Sequence, residues 1–559
     1  MLMGSNRQTV SYIYNAHRQR VNSVEGMEAL HREFWQQNFQ ISPAENARFD
    51  NTTETEVTNY LQQHRNLTLP ENIITLNNLT EDSPLSTPIT PEEIINTIKH
   101  TKNTTPGASN INKTIIEHLP PTMIRKLRHI FNACLATGYF PDKFKHATIT
   151  LIAKSGKSAH EVGNYRPISL LEVPGKLLER LITRRLITHL ENNNKHNSRQ
   201  YGFRPHRGTE SAIALAYEEI ALGLANKHQI NIILRDVSKA FDKVWHDGLK
   251  YKIIQLQLPT HLTRLLCSFL DHRTATIRLG SHLGTPLHLR SGVPQGSVLS
   301  PTLYILYTAN LPQPTPHSNY FSYADDVTQI ISHPSKSQHI MKLTTQRAIQ
   351  NINTFEHHWK IQTNMNKFKL IHIARRYSQP ITINNTHIPY SNRGNILGFH
   401  LSTTGFTTHI KQRITQARTI LTKLRRFSCC TPRTKLRLYK TTVRPILEYT
   451  AVPLVAISHS QKLKMQSVQN KALLWVHGAT RLDFISSETL HRIYNIEPLN
   501  TRIHRRAQNT WARLREQEDA NYNNIIDRHT NTHNNHTWWP RTLPITETPT
   551  PAPIYASTH

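Results

Sequence analysis

YFSYADDVTQII, residues 320–331, sets two consecutive aspartates, Asp325 and Asp326, between two runs of strand-forming residues. The pattern reads as a β-hairpin with the acids at its tip. Earlier in the chain NIILRDV, residues 231–237, reads as a buried apolar strand that ends on Asp236, with Arg235 just before it. Carboxylates at strand ends and tight turns sit on fixed backbone and project into a cleft, so hard oxygen donors there suit a divalent cation such as magnesium. Singly, each acid is equally an ordinary turn-capping or solvated residue. Together, Asp236, Asp325 and Asp326 form a candidate metal cradle.

Working outward, ATITLIAKSGK (147–157) reads as a second short strand, and KLLERLITRRLITHL (176–190) as a helix between the two strands. This alternation predicts a core that mixes helix and sheet. TPEEIINTI (90–98) predicts a helix start, with Thr90 as cap, Pro91 at the first position and Glu92 and Glu93 in the first turn. Val24, Met27, Leu30 and Phe34 predict an N-terminal helix, and the Asn- and Thr-rich stretch from Ile41 to Thr90 a poorly packed connector. After Asp271, TIRLGSHLGTPLHL (276–289) predicts a hairpin leading to the turn GVPQG (292–296) and a helix capped by Ser300. Beyond Lys360 the pattern is mainly helical and basic, and from Pro540 it is Pro- and Thr-rich, as in disordered segments. The expected division is 1–90, helix and connector; 91–400, the core with the acids; 401–510, basic helices; and 511–559, a polar tail.

The chain has 559 residues, with 67 Lys and Arg against 37 Asp and Glu, a formal net charge of +30. The basic residues run along the whole length, which suits a groove following a phosphate backbone better than a membrane patch, though a generally basic soluble protein shares the feature. The four cysteines show no zinc-binding spacing and fit a reducing compartment. Residues 1–20 lack a signal-peptide core, and no apolar run approaches the roughly 18 residues that span a bilayer. An intracellular protein, in nucleus and cytoplasm and without membrane partners, is the expectation. His529, His533 and His536 beside Trp538 and Trp539 suggest metal binding or base stacking, but a His-rich chain produces such clusters by chance.

Seven ordered segments then carry a family resemblance. They are GNYRPISLL (163–171), QYGFRPHRGTESA (200–212), DVSKAFDKVWHDGL (236–249), SGVPQGSVLSPTLY (291–304), YADD (323–326), LGFHL (397–401) and YKTTVRPILEY (439–449). The stretch from Thr90 to Asn500 resembles the reverse transcriptases of non-LTR, LINE-like retrotransposons, particularly the jockey group. The resemblance implies an α+β right-hand polymerase with fingers, an antiparallel palm sheet backed by helices, and a helical thumb. It implies an RNA template, a DNA primer and deoxynucleoside triphosphates, with two magnesium ions, or manganese in their place, promoting attack of the primer 3′-hydroxyl. Asp236 and Asp325 would bridge the metals, and Asp326 would act less directly. By the same matching, Phe241 would lie under the sugar and exclude a 2′-hydroxyl, while Gln295 and Gly296 would line the nucleotide pocket. Lys154 and Arg166 would contact the triphosphate, and Lys367 would protonate departing pyrophosphate. Each has a bland counterpart: a core aromatic, a hairpin-to-helix turn, or a solvated cation.

Three features depart from the family pattern. No endonuclease is expected in this chain, Arg235 stands where an apolar residue is usual, and Ser109–Asn110 replaces the usual Asp-Gly in TPGASNI. An arginine on a palm strand is expected to reach water or pair with an acid. A nucleic-acid-binding relic with impaired catalysis is the alternative reading. A group II intron maturase is a third, which KAFDKVWH and GVPQGSVLSP disfavour.

Overall fold

Thr90 accepts a hydrogen bond from the Glu93 amide and Glu93 accepts one from the Thr90 amide, a reciprocal cap that starts the helix Pro91–His100 where the sequence predicts it. The structure, a computed structural model, describes residues 10–40, 47–64, 84–373, 380–383, 386–479, 483, 485–529 and 542. These fall into two units, one drawn from Met1–Asn197, Val237–Leu311 and Thr354–Gln362, the other from Ser198–Asp236, Pro312–Asn353 and Thr363–His559. The expected 91–400 block is therefore divided between both units, and the helices expected as a thumb share a unit with Asp236. Among the described residues no helix is long and apolar enough to cross a membrane.

In the first unit, strand Ala147–Ala153 pairs antiparallel with Tyr165–Leu170 and parallel with Thr274–Leu279, which pairs with the short strands His282–Leu283 and Leu287–His288. Ala147, Ile149, Ala275 and Ile277 pack against Trp35 and Phe39, at the end of the helix Val24–Asn38. A larger helical core surrounds Phe131, Leu178, Trp245 and Tyr304.

Two expectations fail in this unit. The 41–90 connector contains a helix, Ala47–Gln63, in which Phe49, Thr53, Val57 and Leu61 recur every four residues and turn inward. Its Asp50 forms a 3.0 Å ion pair with Lys360, both side chains being almost fully buried. A single apolar stripe among many Asn and Thr residues hides this helix; residues 41–46 and 65–83 of the connector lie outside the described residues. Second, the helix Ser300–Tyr307 is not capped by Ser300. The Ser297 hydroxyl accepts from the Leu299 and Ser300 amides, and the buried Glu179 carboxylate accepts from Val298 and Leu299. A full charge at the positive helix end is a stronger acceptor than a hydroxyl.

The second unit is built on a four-stranded antiparallel sheet, in spatial order Lys369–Ile373, Gln229–Asp236, Asp326–His333, Ser318–Tyr323. Both faces are covered. Ile230, Ile232, Phe321 and Ile330 join the core with the helix Thr209–Ala225, while Ile233 and Ile331 pack with Met341, Ala348 and Ile349 of the helix Gln338–His358. The first helix is buried almost all round, which its run of Ala212, Ala214, Ala216 and Ala221 permits by letting neighbours approach closely. This is the α+β palm arrangement of antiparallel sheet backed by helices. Beyond Lys360 the described residues are mainly helical, as expected, but strand Lys369–Ile373 first completes the sheet, and the hairpin Arg393–Ile396 with Phe399–Ser402 precedes the helices.

Helices resume at Thr407. In the motif YKTTVRPILEY, the buried Glu448 gathers Arg444 at 3.1 Å, Arg502 at 2.5 Å and Arg506 at 2.7 Å. The polar tail expected from residue 511 is likewise corrected. Helix Leu499–Glu516 continues past that point and Ala520–His529 follows, with Trp511, Leu514, Tyr522 and Ile525 in the core. Low average hydropathy conceals a narrow inward stripe. The expected disorder from Pro540 and the His533–Trp539 cluster fall outside the described residues, as does the side chain of His529. If the last helices are integral, Trp511→Ala will lower stability by about 3–5 kcal/mol in urea denaturation; a tail residue would show almost no change.

Candidate active site

Asp236 is the last residue of its strand and Asp326 the first of the neighbouring strand, and the two are direct register partners. Cross-strand partners of an antiparallel pair project to the same face, so both carboxylates leave the sheet together. Asp325 precedes Asp326 in the turn that joins Tyr323 to Asp326. The structure thus brings together all three acids singled out in the sequence. Their crowding is electrostatically unfavourable: the Asp326 carboxyl is pushed up to about 6, first by desolvation and then by the charges of Asp325 and Asp236, with Lys367 opposing.

Lys367 joins the same cluster, its ammonium donating to both Asp236 oxygens at 2.9 Å. The turn carrying it is tied to the strand end, because the Asn364 amide donates to the Asp236 carbonyl at 2.8 Å and the Lys367 amide to the Asn364 carbonyl at 2.9 Å. Among the described residues no group of three acidic, His or Cys side chains stands ready to hold a metal ion. The donor set nevertheless fits a hard divalent cation: Asp236 and Asp326 leave one face of the sheet, Asp325 adjoins them in the turn, the Asp326 carboxyl is raised by burial and by both neighbours' charge, and an ammonium already binds both oxygens of Asp236.

The turn itself is held by a residue that sequence reasoning assigns no role. Ala324 adopts φ 55°, a left-handed conformation unfavourable for a side-chain-bearing residue. The buried Gln200 clamps it: its Oε1 accepts from the Ala324 amide at 2.9 Å and the Gly202 amide at 2.8 Å, and its Nε2 donates to the Ala324 carbonyl at 3.4 Å. Gly202 has to be glycine, since a Cβ there would lie 2.5 Å from the Ala324 nitrogen. Next to Gln200, the Tyr201 hydroxyl donates to Asp519, whose buried carboxylate also pairs with Arg207 at 2.7 Å. The segment QYGFRPHRG is therefore pinned at one end to the turn bearing the acids and at the other to the C-terminal helices. Nothing local in the sequence marks Gln200; its partner lies 124 residues away.

Arg235 does not reach water from its strand. It is buried, and its guanidinium donates to Asn353 Oδ1 at 2.6 Å and the Ile349 carbonyl at 3.2 Å, above the ring of Phe368. It lies on the sheet face opposite Asp236, because side chains alternate along a strand. The Ser109–Asn110 substitution is also accommodated: Asn110 takes φ 56°, which asparagine tolerates, and the Ser109 amide donates to Glu172 at 2.9 Å.

The remaining site residues lie in the first unit. Lys154 follows strand Ala147–Ala153 and its ammonium donates to the Gly163 carbonyl at 3.0 Å; Arg166, opposite Ile152 on the partner strand, is exposed. Phe241 is half-buried and stacks on Tyr304 at 5.0 Å between ring centres. Gln295 donates to the buried Asp242 at 2.7 Å, and Gly296 follows with φ 133°.

Comparison with known proteins bears on this geometry. Residues 152–401 match the family model described as reverse transcriptase (RNA-dependent DNA polymerase). The chain is 30% identical over 451 residues to the probable RNA-directed DNA polymerase from transposon X-element of Drosophila melanogaster, covering 78% of this chain and 49% of that protein. It is 31% identical over 453 residues to the RNA-directed DNA polymerase from mobile element jockey of the same organism, covering 77% and 48%. The chain spans about half the length of the curated relatives it matches. Among solved structures, the telomerase of Candida tropicalis in complex with a fragment of telomeric RNA is similar at 13% identity with a TM-score of 0.38, covering 74% of this chain and 69% of that one.

The Gln200 clamp makes a graded prediction. Gln200→Ala leaves three buried backbone groups without their partner and will lower stability by about 1–3 kcal/mol in chemical denaturation. Gln200→Glu keeps the acceptor but buries a carboxylate against the Ala324 carbonyl, so its loss will shrink as pH is lowered while that of Gln200→Ala will not; equal losses at every pH would mean that the acceptor bonds to the turn contribute nothing.

Proposed function

We propose that the chain belongs to the reverse transcriptase family and extends a DNA primer along an RNA template, as the polymerase of a non-LTR retrotransposon. The observation that carries this reading is the pairing of Asp236 with Asp326 at one end of the sheet, with Asp325 in the adjoining turn and the Asp326 carboxyl raised by burial and then by its neighbours' charge. Such crowding does nothing for folding and is what a site built for cations looks like.

In this reading Asp236 and Asp325 would be the principal holders of two divalent cations, magnesium or manganese, with Asp326 less directly involved. Bound there, the cations would offset charge on the triphosphate and favour ionisation of the primer 3′-hydroxyl. The protein's part is placement. The covered sheet fixes the strand that ends on Asp236, and the Gln200 clamp fixes the turn bearing the other two acids. Lys367, whose ammonium rests on both Asp236 oxygens, would be the proton donor to departing pyrophosphate. Lys154 and Arg166 receive the triphosphate, while Phe241, braced by Tyr304, sits beneath the sugar and disfavours a ribose 2′-hydroxyl. Gln295 and Gly296 line the pocket for the same nucleotide.

Primer extension on an RNA template with deoxynucleotides tests the proposal. The wild type will incorporate, and Asp236→Asn or Asp325→Asn will reduce the rate by about 1,000-fold, as loss of several kcal/mol of transition-state stabilisation requires. Asp325→Asn will leave folding unimpaired, since it removes repulsion, and Asp236→Asn will change it little, since the repulsion it removes offsets the partly exposed Lys367 ion pair that it also loses. No incorporation by the wild type beside a working control polymerase, or full activity in Asp325→Asn, would refute the assignment.

A further inference from the structure

We infer that Asp242 is a positioning residue, whose carboxylate locks the Gln295 side-chain amide in one of its two orientations so that Gln295 offers its carbonyl oxygen to the incoming deoxynucleoside triphosphate. The inference rests on the proposed placement of Gln295 in the nucleotide pocket and adds to it the group that sets what Gln295 presents.

The backbone on either side of Gln295 is fixed independently. Segment 291–296 docks on 241–244 through Val293 N to Phe241 O at 2.7 Å and Gly292 N to Val244 O at 2.8 Å, with the Ser291 hydroxyl on the Asp242 carbonyl at 3.2 Å. Gly292, at φ 87°, could not carry a side chain, because a Cβ would lie 2.7 Å from the Asp242 carbonyl oxygen. Beyond the glutamine side chain, its carbonyl accepts from the Ser169 amide at 2.8 Å, and a Cβ on Gly296 would lie 2.4 Å from the Ser169 oxygen. With the main chain held, what is left to decide is which way the amide group turns.

Asp242 decides it. An ionised carboxylate only accepts hydrogen bonds, so the Gln295 Nε2 donating to Asp242 Oδ1 at 2.7 Å forces Oε1 to the far side. Among the described residues no partner for Oε1 is found, which leaves it able to accept from a sugar hydroxyl. The same Asp242 follows Phe241, the ring assigned beneath that sugar, so one buried acid links both sides of the pocket.

The environment of Asp242 argues against a role in stability. It is 4% exposed and forms no ion pair among the described residues; burial pushes its carboxyl up to about 6, against the pull of Gln295 and of Lys239, Lys154 and Lys243. Burying a charge in this way disfavours the folded state at neutral pH, and an asparagine of the same shape would fit at lower cost. The side-chain amide introduced by Asp242→Asn, however, could donate as well as accept, so the glutamine would no longer be confined to one orientation.

The test is a double-mutant cycle on the full chain, read by steady-state primer extension on an RNA template and by thermal unfolding at pH 7. Asp242→Asn will raise KM for the deoxynucleotide by about 3–10-fold, the range expected for one hydrogen bond lost or misdirected, with the larger change in KM rather than kcat. On a Gln295→Ala background it will raise KM no further. Its melting temperature will be unchanged or higher. Unchanged KM in Asp242→Asn overturns the inference, as does an equal rise on both backgrounds or a lowered melting temperature that accounts for the loss. If the wild type extends no primer while a control polymerase does, the polymerase assignment itself has failed and the inference falls with it, an outcome separable from the others.

Discussion

The register between the strands ending at Asp236 and beginning at Asp326 is the constraint on which the rest depends. A slip of one residue would send one of the two carboxylates to the opposite face of the sheet, and the cluster with Asp325 would dissolve. Two buried faces hold it in place. Ile230, Ile232 and Ile330 are committed to the core around helix Thr209–Ala225, and Ile233 and Ile331 to the core around helix Gln338–His358, so neither strand can shift without exposing isoleucines to water. The mutual repulsion of the acids is small beside that burial, and the fold can therefore hold them together.

Polar contacts refine what burial fixes. Asn231, fully buried between strands, donates to Thr345 and meets His372, and Gln329 donates to the Ala348 carbonyl, so the sheet is keyed to its covering helix by hydrogen bonds as well as by apolar packing. Gln200 extends the same logic to the turn, and Tyr201 and Arg207 carry it on to Asp519 in the C-terminal region. Arg235 shows the tolerance of this design. Buried on the side away from the acids, it donates to the Ile349 carbonyl and Asn353 and lies over the Phe368 ring, and so leaves the geometry of Asp236 undisturbed.

Features that declare themselves locally are legible in the sequence, and those that depend on distant partners are not. The Thr90 cap, the strand ending on Asp236 and the YADD hairpin all show within a few residues, through capping chemistry, apolar runs and turn position. Ser300 is the wrong cap because the true acceptor, Glu179, comes from 119 residues earlier in the chain. Helices Ala47–Gln63 and Ala520–His529 escape a reading by average composition because a one-in-four inward stripe is drowned by Asn, Thr and charged residues. The three acids can be found because strand-end and turn positions are legible in a single segment. The groups that position them or their neighbours, Gln200 and Asp242, are visible only once the chain is folded.

If Asp236, Asp325 and Asp326 form a cation site, manganese titration followed by electron paramagnetic resonance will show it without reliance on turnover. Saturable binding by the wild-type chain is predicted, lost when all three aspartates are replaced by asparagine, with the fold intact by circular dichroism. Binding of equal strength in the wild type and the triple variant would contradict it.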